Sequence, residues 1–485
     1  MMTAANQLPP RPPGHVLLGN LATFQGPIHQ NLLAAQRAHG DVVRFEIGPK
    51  RIITVTHPDD VEHIVYKNWK NYSQGSGMEE TKALLGDGLL TSSGELWRRQ
   101  RSLAQPAFRR SRVCLFAQTM TRSVNAMLER WEQRSDHLGD FDVAVEMNRL
   151  TLDVAAQAQF GASLGDAEAA VISSSLPPLM QEAVRRQFGL FVAPTWMPTP
   201  NNRRMARHIA RLNEVVFRII EDRRRRVRQG GDAGKDLLGL LMTACDEETG
   251  IGMSDQLLRD ESMTLLMAGH ETTAQFLAWT WYLLSCYPDV RRRVEEEADA
   301  ITKTGEELEN LSYTRRVLDE SLRLYPPAWI FRRTALEDDV VGGYHIPAGS
   351  DVLMVPYIIH RHESFWDNPE AFDPDRFLPE RVAERHRCAY VPFGGGPRLC
   401  IGMHFAVMEA LTIVSMVSQR YRLDRVPGPA VIPEASFTLR PGGGVRMKAT
   451  PRSRQTRKAH VEDVEAPSYT GGCPRRLGIA DRALG

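Results

Sequence analysis

Cysteine is scarce in this chain and scattered: six in 485 residues, at positions 114, 245, 286, 388, 400 and 473. No two of them form a C-x-x-C pair, so neither a structural zinc site nor a disulfide framework is indicated. Such usage suits a reducing compartment. Also missing is any apolar run close to the roughly 20 residues that span a bilayer. The N-terminal stretch MMTAANQLPPRPPGHVLLGN shows no signal-peptide core. Net charge is +1, so no global field points to nucleic acid. These absences lead us to expect a cytoplasmic protein with no transmembrane anchor and no nucleic-acid partner. What is present is an ordinary globular balance, 42% hydrophobic and 25% charged, sufficient for a core that encloses a cofactor.

The chain shows no internal repeat and no long linker. A Pro/Gly-rich entry segment covers residues 1–20. Period-two alternation of Val43, Phe45 and Ile47 with Arg44 and Glu46, a Gly48-Pro49-Lys50 turn and the β-rich run Ile52–Val55 predict a hairpin. Helical patterns dominate from Pro58 to about residue 320, with loops near 72–92 and 193–203. The longest runs from an N-cap at Ser254 to Cys286, ahead of Tyr287-Pro288, and would be close to 50 Å long at about 1.5 Å per residue. After residue 326 short β-like runs appear (340–346 and 351–357), then a turn-rich stretch to 400 and a last helix. The expected fold is mainly α with a smaller β-rich lobe, one domain over 21–450, and a flexible polar tail over 451–485. The run Arg223–Arg226 with Arg228 reads as a solvated helix C-terminus, where cations are favoured.

The most informative segment is Phe393-Gly-Gly-Gly-Pro-Arg398-Leu-Cys400-Ile-Gly402. Three glycines and a proline make an irregular loop, and a helical pattern starts directly after it. Cys400 therefore sits at a helix N-terminus, where backbone N–H groups favour a thiolate, the form a metal requires. The segment resembles the haem-binding loop of the cytochrome P-450 family: Phe393, Gly396, Arg398, Cys400 and Gly402 fill its five fixed positions. A chance match in a chain this long is on the order of one in ten thousand. The resemblance covers about residues 10–450. It implies that family's fold, with haem b between the long central helix and the Cys400 loop, Cys400 as the iron ligand, Arg398 on a haem propionate and Phe393 shielding the sulfur. An axial thiolate promotes O–O cleavage.

Other constellations acquire meaning beside it. Trp97 and Arg101 share a helix face and resemble the family's propionate site; Arg333, preferred over Arg332, would be a third contact. Glu320 and Arg323, three apart on a helix, can pair, and with Arg376 they resemble the family's buried triad. Ala268-Gly269-His270-Glu271-Thr272 lies in the centre of the long helix. Thr272 can return a hydrogen bond to the Ala268 carbonyl and bend the helix, and Ala268-Gly269 leaves room for a ligand there. In the family this segment is the oxygen-activation motif: Thr272 would bond the bound dioxygen or the water beside it, and Glu271 would link it to solvent protons. His270 is expected not to be a ligand. The other five cysteines are read as structural.

The resemblance implies a monooxygenase that inserts one atom of O2 into a lipophilic substrate, by hydroxylation or epoxidation. The substrate would be a terpenoid, a fatty acid or another natural product. No flavin or iron–sulfur motif is visible, so electrons from NAD(P)H would come through a separate ferredoxin or flavodoxin with its reductase. The basic set Arg98, Arg99, Arg109, Arg110 and Arg112 would receive such an acidic donor. Residues implied for the pocket are Met78, Leu85, Leu89, Phe188, Phe191, Trp196, Leu265, Ala268, Trp329, Ile330, Phe331 and Phe437, an apolar set as pockets commonly have. A peroxygenase driven by H2O2 and a haem sensor are the rivals. The intact Glu271-Thr272 pair argues against both, and a globular protein with a merely structural Cys400 would be colourless.

Overall fold

A computed structural model describes residues 7–452 except 49, 75–80, 83–84, 134–138, 162–163, 189–192, 247–249 and 302–307. Ten longer helices carry the fold: α1 (Ile28–His39), α2 (Gly94–Ala104), α3 (Ala117–Glu132), α4 (Val143–Phe160), α5 (Asp166–Phe188), α6 (Pro200–Arg228), α7 (Asp255–Cys286), α8 (Pro288–Asp299), α9 (Ser312–Leu324) and α10 (Met403–Arg420). The Ser254 hydroxyl caps α7 by accepting the Leu257 N–H at 3.2 Å, satisfying a donor that helix geometry leaves free. Thr199 caps α6 in the same way, so that helix begins at Pro200, inside the stretch expected as loop. Packed lengthwise against α4, α7 runs through the centre and is buried along most of its 32 residues.

The strands are β1 (Val42–Ile47), β2 (Lys50–Val55), β3 (Tyr72–Ser73), β4 (Phe141–Asp142), β5 (Phe331–Ala335), β6 (Asp339–Val341), β7 (Tyr344–Ile346), β8 (Asp351–Met354), β9 (Tyr421–Arg425), β10 (Ile432–Ala435), β11 (Leu439–Gly442) and β12 (Arg446–Pro451). Five of them form a sheet in the order β1-β2-β8-β5-β3. The expected hairpin is its edge, with Ile47 opposite Lys50. β8 adds parallel to β2, pairing Ile52 with Asp351, and antiparallel to β5. The run from 351 stops at Met354, because Pro356 opens a short helix, Pro356–Ile359; proline suits that first helical position and not a strand interior.

The basic run at the end of α6 is not uniformly solvated. Arg223 is 2% exposed. It grips Asp236 through both carboxylate oxygens and donates to the carbonyls of Phe160 and Ala233. This one side chain ties the ends of α4 and α6 to the loop that follows, a role that a buried guanidinium can fill only with every donor matched. Among the described residues no helix is long and apolar enough to cross a membrane.

Candidate active site

The Cys400 loop is built on two glycines and two close approaches. Gly394 and Gly396 have φ of 76° and 65°, a region open to glycine at little cost. A Cβ on Gly396 would lie 1.8 Å from the Val65 carbonyl oxygen. The Cys400 N–H donates to the Phe393 carbonyl at 3.0 Å, closing the loop on itself. Protein surrounds Cys400 closely, yet the residue retains accessible surface, as a residue lining an internal cavity does. Burial pushes the thiol above its usual range. The Gly402 and Met403 N–H groups and the Arg101 charge pull the other way. Helix-end donors thus do act on the sulfur, but burial outweighs them.

Three arginines gather beside this loop. Arg101 on α2 is close enough to favour a Cys400 thiolate. Arg333 on β5 donates to Gln74 Oε1 at 2.9 Å and to the Arg332 carbonyl at 2.8 Å. Both terminal nitrogens of Arg398 donate to the Ser92 carbonyl at 3.1 Å, and its guanidinium lies 3.9 Å above the Trp97 ring. Arg332 turns away towards Asp351. Burial lowers Arg333 to about 10 and Arg398 to about 9, and Arg398 also feels the charges of Arg333 and Arg101. Among the described residues none of the three has a carboxylate partner. A cavity of 380 Å³ opens at this cluster, lined in part by Trp69, Lys70, Trp97 and Arg98. Half-buried cations without anions are costly, and guanidinium forks match carboxylates. The donor set fits the two carboxylates of haem, and the accessible Cys400 sulfur fits a ligand to its iron.

Facing this, α7 has its small residues. Ala268 is exposed although its neighbours Met267 and His270 are buried, which in a central helix marks the border of an internal space. The Thr272 hydroxyl donates to the Ala268 carbonyl at 2.6 Å. Gly269 has only the Ala155 methyl near its missing side chain. Burial raises the Glu271 carboxyl, opposed by a 2.8 Å hydrogen bond from Thr438 and by the Arg440 charge. His270 is held neutral by burial, at about 4. Nothing in the sequence around Thr438 marks it, because its partner lies 167 positions earlier.

Beneath the loop, Glu320 and Arg323 are fully buried and joined by two hydrogen bonds, of 2.6 and 2.7 Å. The remaining Arg323 donors reach the carbonyls of His360, Pro369 and Ala371. Arg376 stands farther off, 3.5 Å from Glu320, and donates to the Asn368 carbonyl instead. His360 connects this cluster to the loop: its Nδ1 is 3.2 Å from the Arg323 carbonyl and its Nε2 accepts the Val391 N–H at 2.9 Å. No motif announces His360.

The apolar residues divide. Leu85, Leu89, Leu265 and Phe437 pack with Leu266 and Met267 of α7. Trp329 does not join them: fully buried, it packs with Val43 and Phe45 in the β-rich lobe and donates its indole N–H to the Ser436 carbonyl. Ile330 and Phe331 also lean on the cores of that lobe, and Trp196 is 78% exposed. Met78 and Phe191 lie outside the described residues; Phe188 is placed only as the end of α5. In the basic set, Arg98, Arg109 and Arg112 are exposed, whereas Arg99 donates to the carbonyls of Ile251 and Gly252.

Comparison with known proteins gives one consistent result. Residues 9–446 match the family model described as Cytochrome P-450. Cyclooctatin synthase of Streptomyces melanosporofaciens is 38% identical over 445 residues, covering 91% of this chain and 95% of its own. Cyclooctat-9-en-7-ol 5-monooxygenase of the same organism is 36% identical, covering 86% and 90%. Pentalenene oxygenase of Streptomyces avermitilis is 31% identical, covering 88% and 93%. The crystal structure of the cytochrome P-450DA heme domain superposes with a TM-score of 0.83 at 29% identity, covering 93% of this chain and all of that one.

Proposed function

The chain belongs to the cytochrome P-450 family of haem-iron monooxygenases, and from that premise we propose that it oxidises a terpenoid hydrocarbon or terpenoid alcohol with O2. The expected reaction is hydroxylation of an unactivated C–H bond or epoxidation of an alkene. NAD(P)H supplies the electrons through a separate ferredoxin or flavodoxin in the cytoplasm. Similarity to the cyclooctat-9-en-7-ol and pentalenene enzymes supports the substrate class, as does the apolar cluster of Leu85, Leu89, Leu265 and Phe437 with α7. The exposed Arg98, Arg109 and Arg112 offer a basic surface for an acidic donor protein.

Haem held here would supply activation of O2 and cleavage of its O–O bond. Cys400 would be its ligand, steadied by the Gly402 and Met403 N–H groups. Arg101, Arg333 and Arg398 would hold it through its carboxylates. Ala268 would leave room beside it, and the apolar cluster on α7 would exclude water. Thr272 would present a hydroxyl next to Ala268, and Glu271 would carry protons towards it.

The observation that carries O2 use, as against added peroxide, is the Thr272 hydroxyl on the Ala268 carbonyl with Glu271 adjoining it. Positioned proton delivery is commonly worth 100- to 10,000-fold. Thr272→Ala is therefore expected to keep haem content and the red-shifted carbon monoxide band of a thiolate haem. Product per NAD(P)H consumed should fall severalfold, with H2O2 released in its place. Wild-type coupling in this variant would return Thr272 to a core hydroxyl; loss of turnover with supplied H2O2 as well would point to substrate placement.

A further inference from the structure

The turn between β10 and β11 is held from three directions. The Trp329 indole donates to the Ser436 carbonyl at 2.9 Å, the Trp279 indole to the Leu439 carbonyl at 2.9 Å, and the Leu439 N–H to the Pro327 carbonyl at 3.0 Å. On this fixed turn Phe437 goes to the apolar cluster with Leu89 and Met267. The next residue, Thr438, is 1% exposed and gives its hydroxyl to Glu271 Oε1 at 2.8 Å. Among the described residues this is the hydrogen bond that fixes the Glu271 carboxyl. Arg440, two residues on, is the charged group that acts on Glu271; it is exposed and pairs with Glu434 on β10 at 2.6 Å. His270, adjoining on α7, is neutral.

We propose that Thr438 is a positioning residue for proton delivery: its hydroxyl, clamped by the two tryptophans, aims the Glu271 carboxyl and links it to the solvent rim at Arg440 and Glu434. The arrangement suits this. A hydroxyl both donates and accepts, so it can hold the carboxylate in either protonation state. A rigid carrier fixes the direction, since Ser436 before Thr438 and Leu439 after it are pinned through their backbones. The proposal rests on Glu271 being the proton carrier, as given above.

The test uses the full haem-loaded chain with Thr438→Val, Thr438→Ser and Glu271→Gln. Two quantities are read: the pH at which the Glu271 carboxyl infrared band titrates, identified by its loss in Glu271→Gln, and product per NAD(P)H against pH, driven by a surrogate ferredoxin and reductase. A lost donor to a carboxylate raises its titration point, here by on the order of one unit. In Thr438→Val the band and the coupling profile should move up together and peroxide should rise, and Thr438→Ser should restore both. If Thr438→Val does not load haem, Thr438→Ala is read in its place. A band that titrates at the wild-type pH, or one that moves while coupling stays, overturns the role of Thr438. Wild-type coupling in Glu271→Gln instead removes the carrier reading beneath it.

Discussion

Two groups of arginines stand near the Cys400 loop, one fully buried and one half-buried, and they are satisfied in opposite ways. At Glu320–Arg323 the chain supplies every partner: a carboxylate gripped twice, three carbonyls for the remaining donors, and the Asp373 N–H on the carboxylate itself. At Arg101, Arg333 and Arg398 the described residues supply only neutral groups, namely an amide, two carbonyls and an indole face. The first group is self-sufficient and can only be architecture. Cation burden in the second exceeds what the described residues neutralise, which fits the proposed anionic cofactor. Charge pairing thus separates residues that hold the protein from residues proposed to hold its cofactor.

That distinction can be broken most forcefully at Glu320. Glu320→Ala leaves Arg323 buried without its anion, at a cost of about 3–5 kcal/mol. Through His360 the damage reaches Val391 and the Cys400 loop. The expected outcome is little soluble, haem-loaded protein, measured by expression yield and by the urea midpoint of what survives. Recovery of a stable, fully loaded Glu320→Ala would show the pair to be peripheral. Arg398→Leu probes the other group. Losing one charged hydrogen bond to a haem carboxylate should cost roughly 2 kcal/mol, visible as faster haem transfer to an acceptor globin. The haem-free form should be no less stable than wild type, because an unneutralised cation has gone. A destabilised haem-free variant would place Arg398 with the architectural group.

The comparison is sharpened from the other side at Glu261, an acid that no cation answers among the described residues. Its Oε2 accepts the Leu89 N–H at 3.1 Å, its Oε1 has no hydrogen-bond partner, and burial raises it to about 8. The folded protein keeps this proton up to about pH 8, whereas the unfolded chain releases it near 4.5. Its contribution to stability is therefore complete below pH 4.5 and is lost as pH rises to 8, with a slope of at most about 1.4 kcal/mol per pH unit. In Glu261→Gln that share of the slope should vanish in urea titrations at successive pH values; an unchanged slope would mean that Glu261 ionises in place.

What the sequence made legible was contiguous. Phe393 to Gly402 is a local pattern, and Ser254 with Tyr287-Pro288 are local stop signals, so the loop and the central helix could be located from neighbours alone. The misread and the missed residues took their meaning from partners far along the chain or beyond a turn. Arg223 belongs to the same charge run as the exposed Arg225, and only the return of Asp236 past Gly234 makes it a buried tie. Trp329 carries the apolar character of a pocket residue, but pairing of β5 with β8 turns it into the lobe. His360 and Thr438 act through backbone or carboxyl partners dozens to hundreds of positions away. Hydrophobic periodicity gives the face of an element; it does not give the element opposite.

Gly396 and Val65 have a mechanical consequence. The segment His63–Lys67 is a single wide π-turn, and its Val65 carbonyl occupies the place where a Cβ of residue 396 would stand. The Cys400 loop and this turn are therefore geared, and neither can shift inward without displacing the other. A π-turn already carries an extra residue in its coil and can tighten by one register to yield. Strain imposed at the sulfur would then leave the loop as a change of helical pitch near Val65.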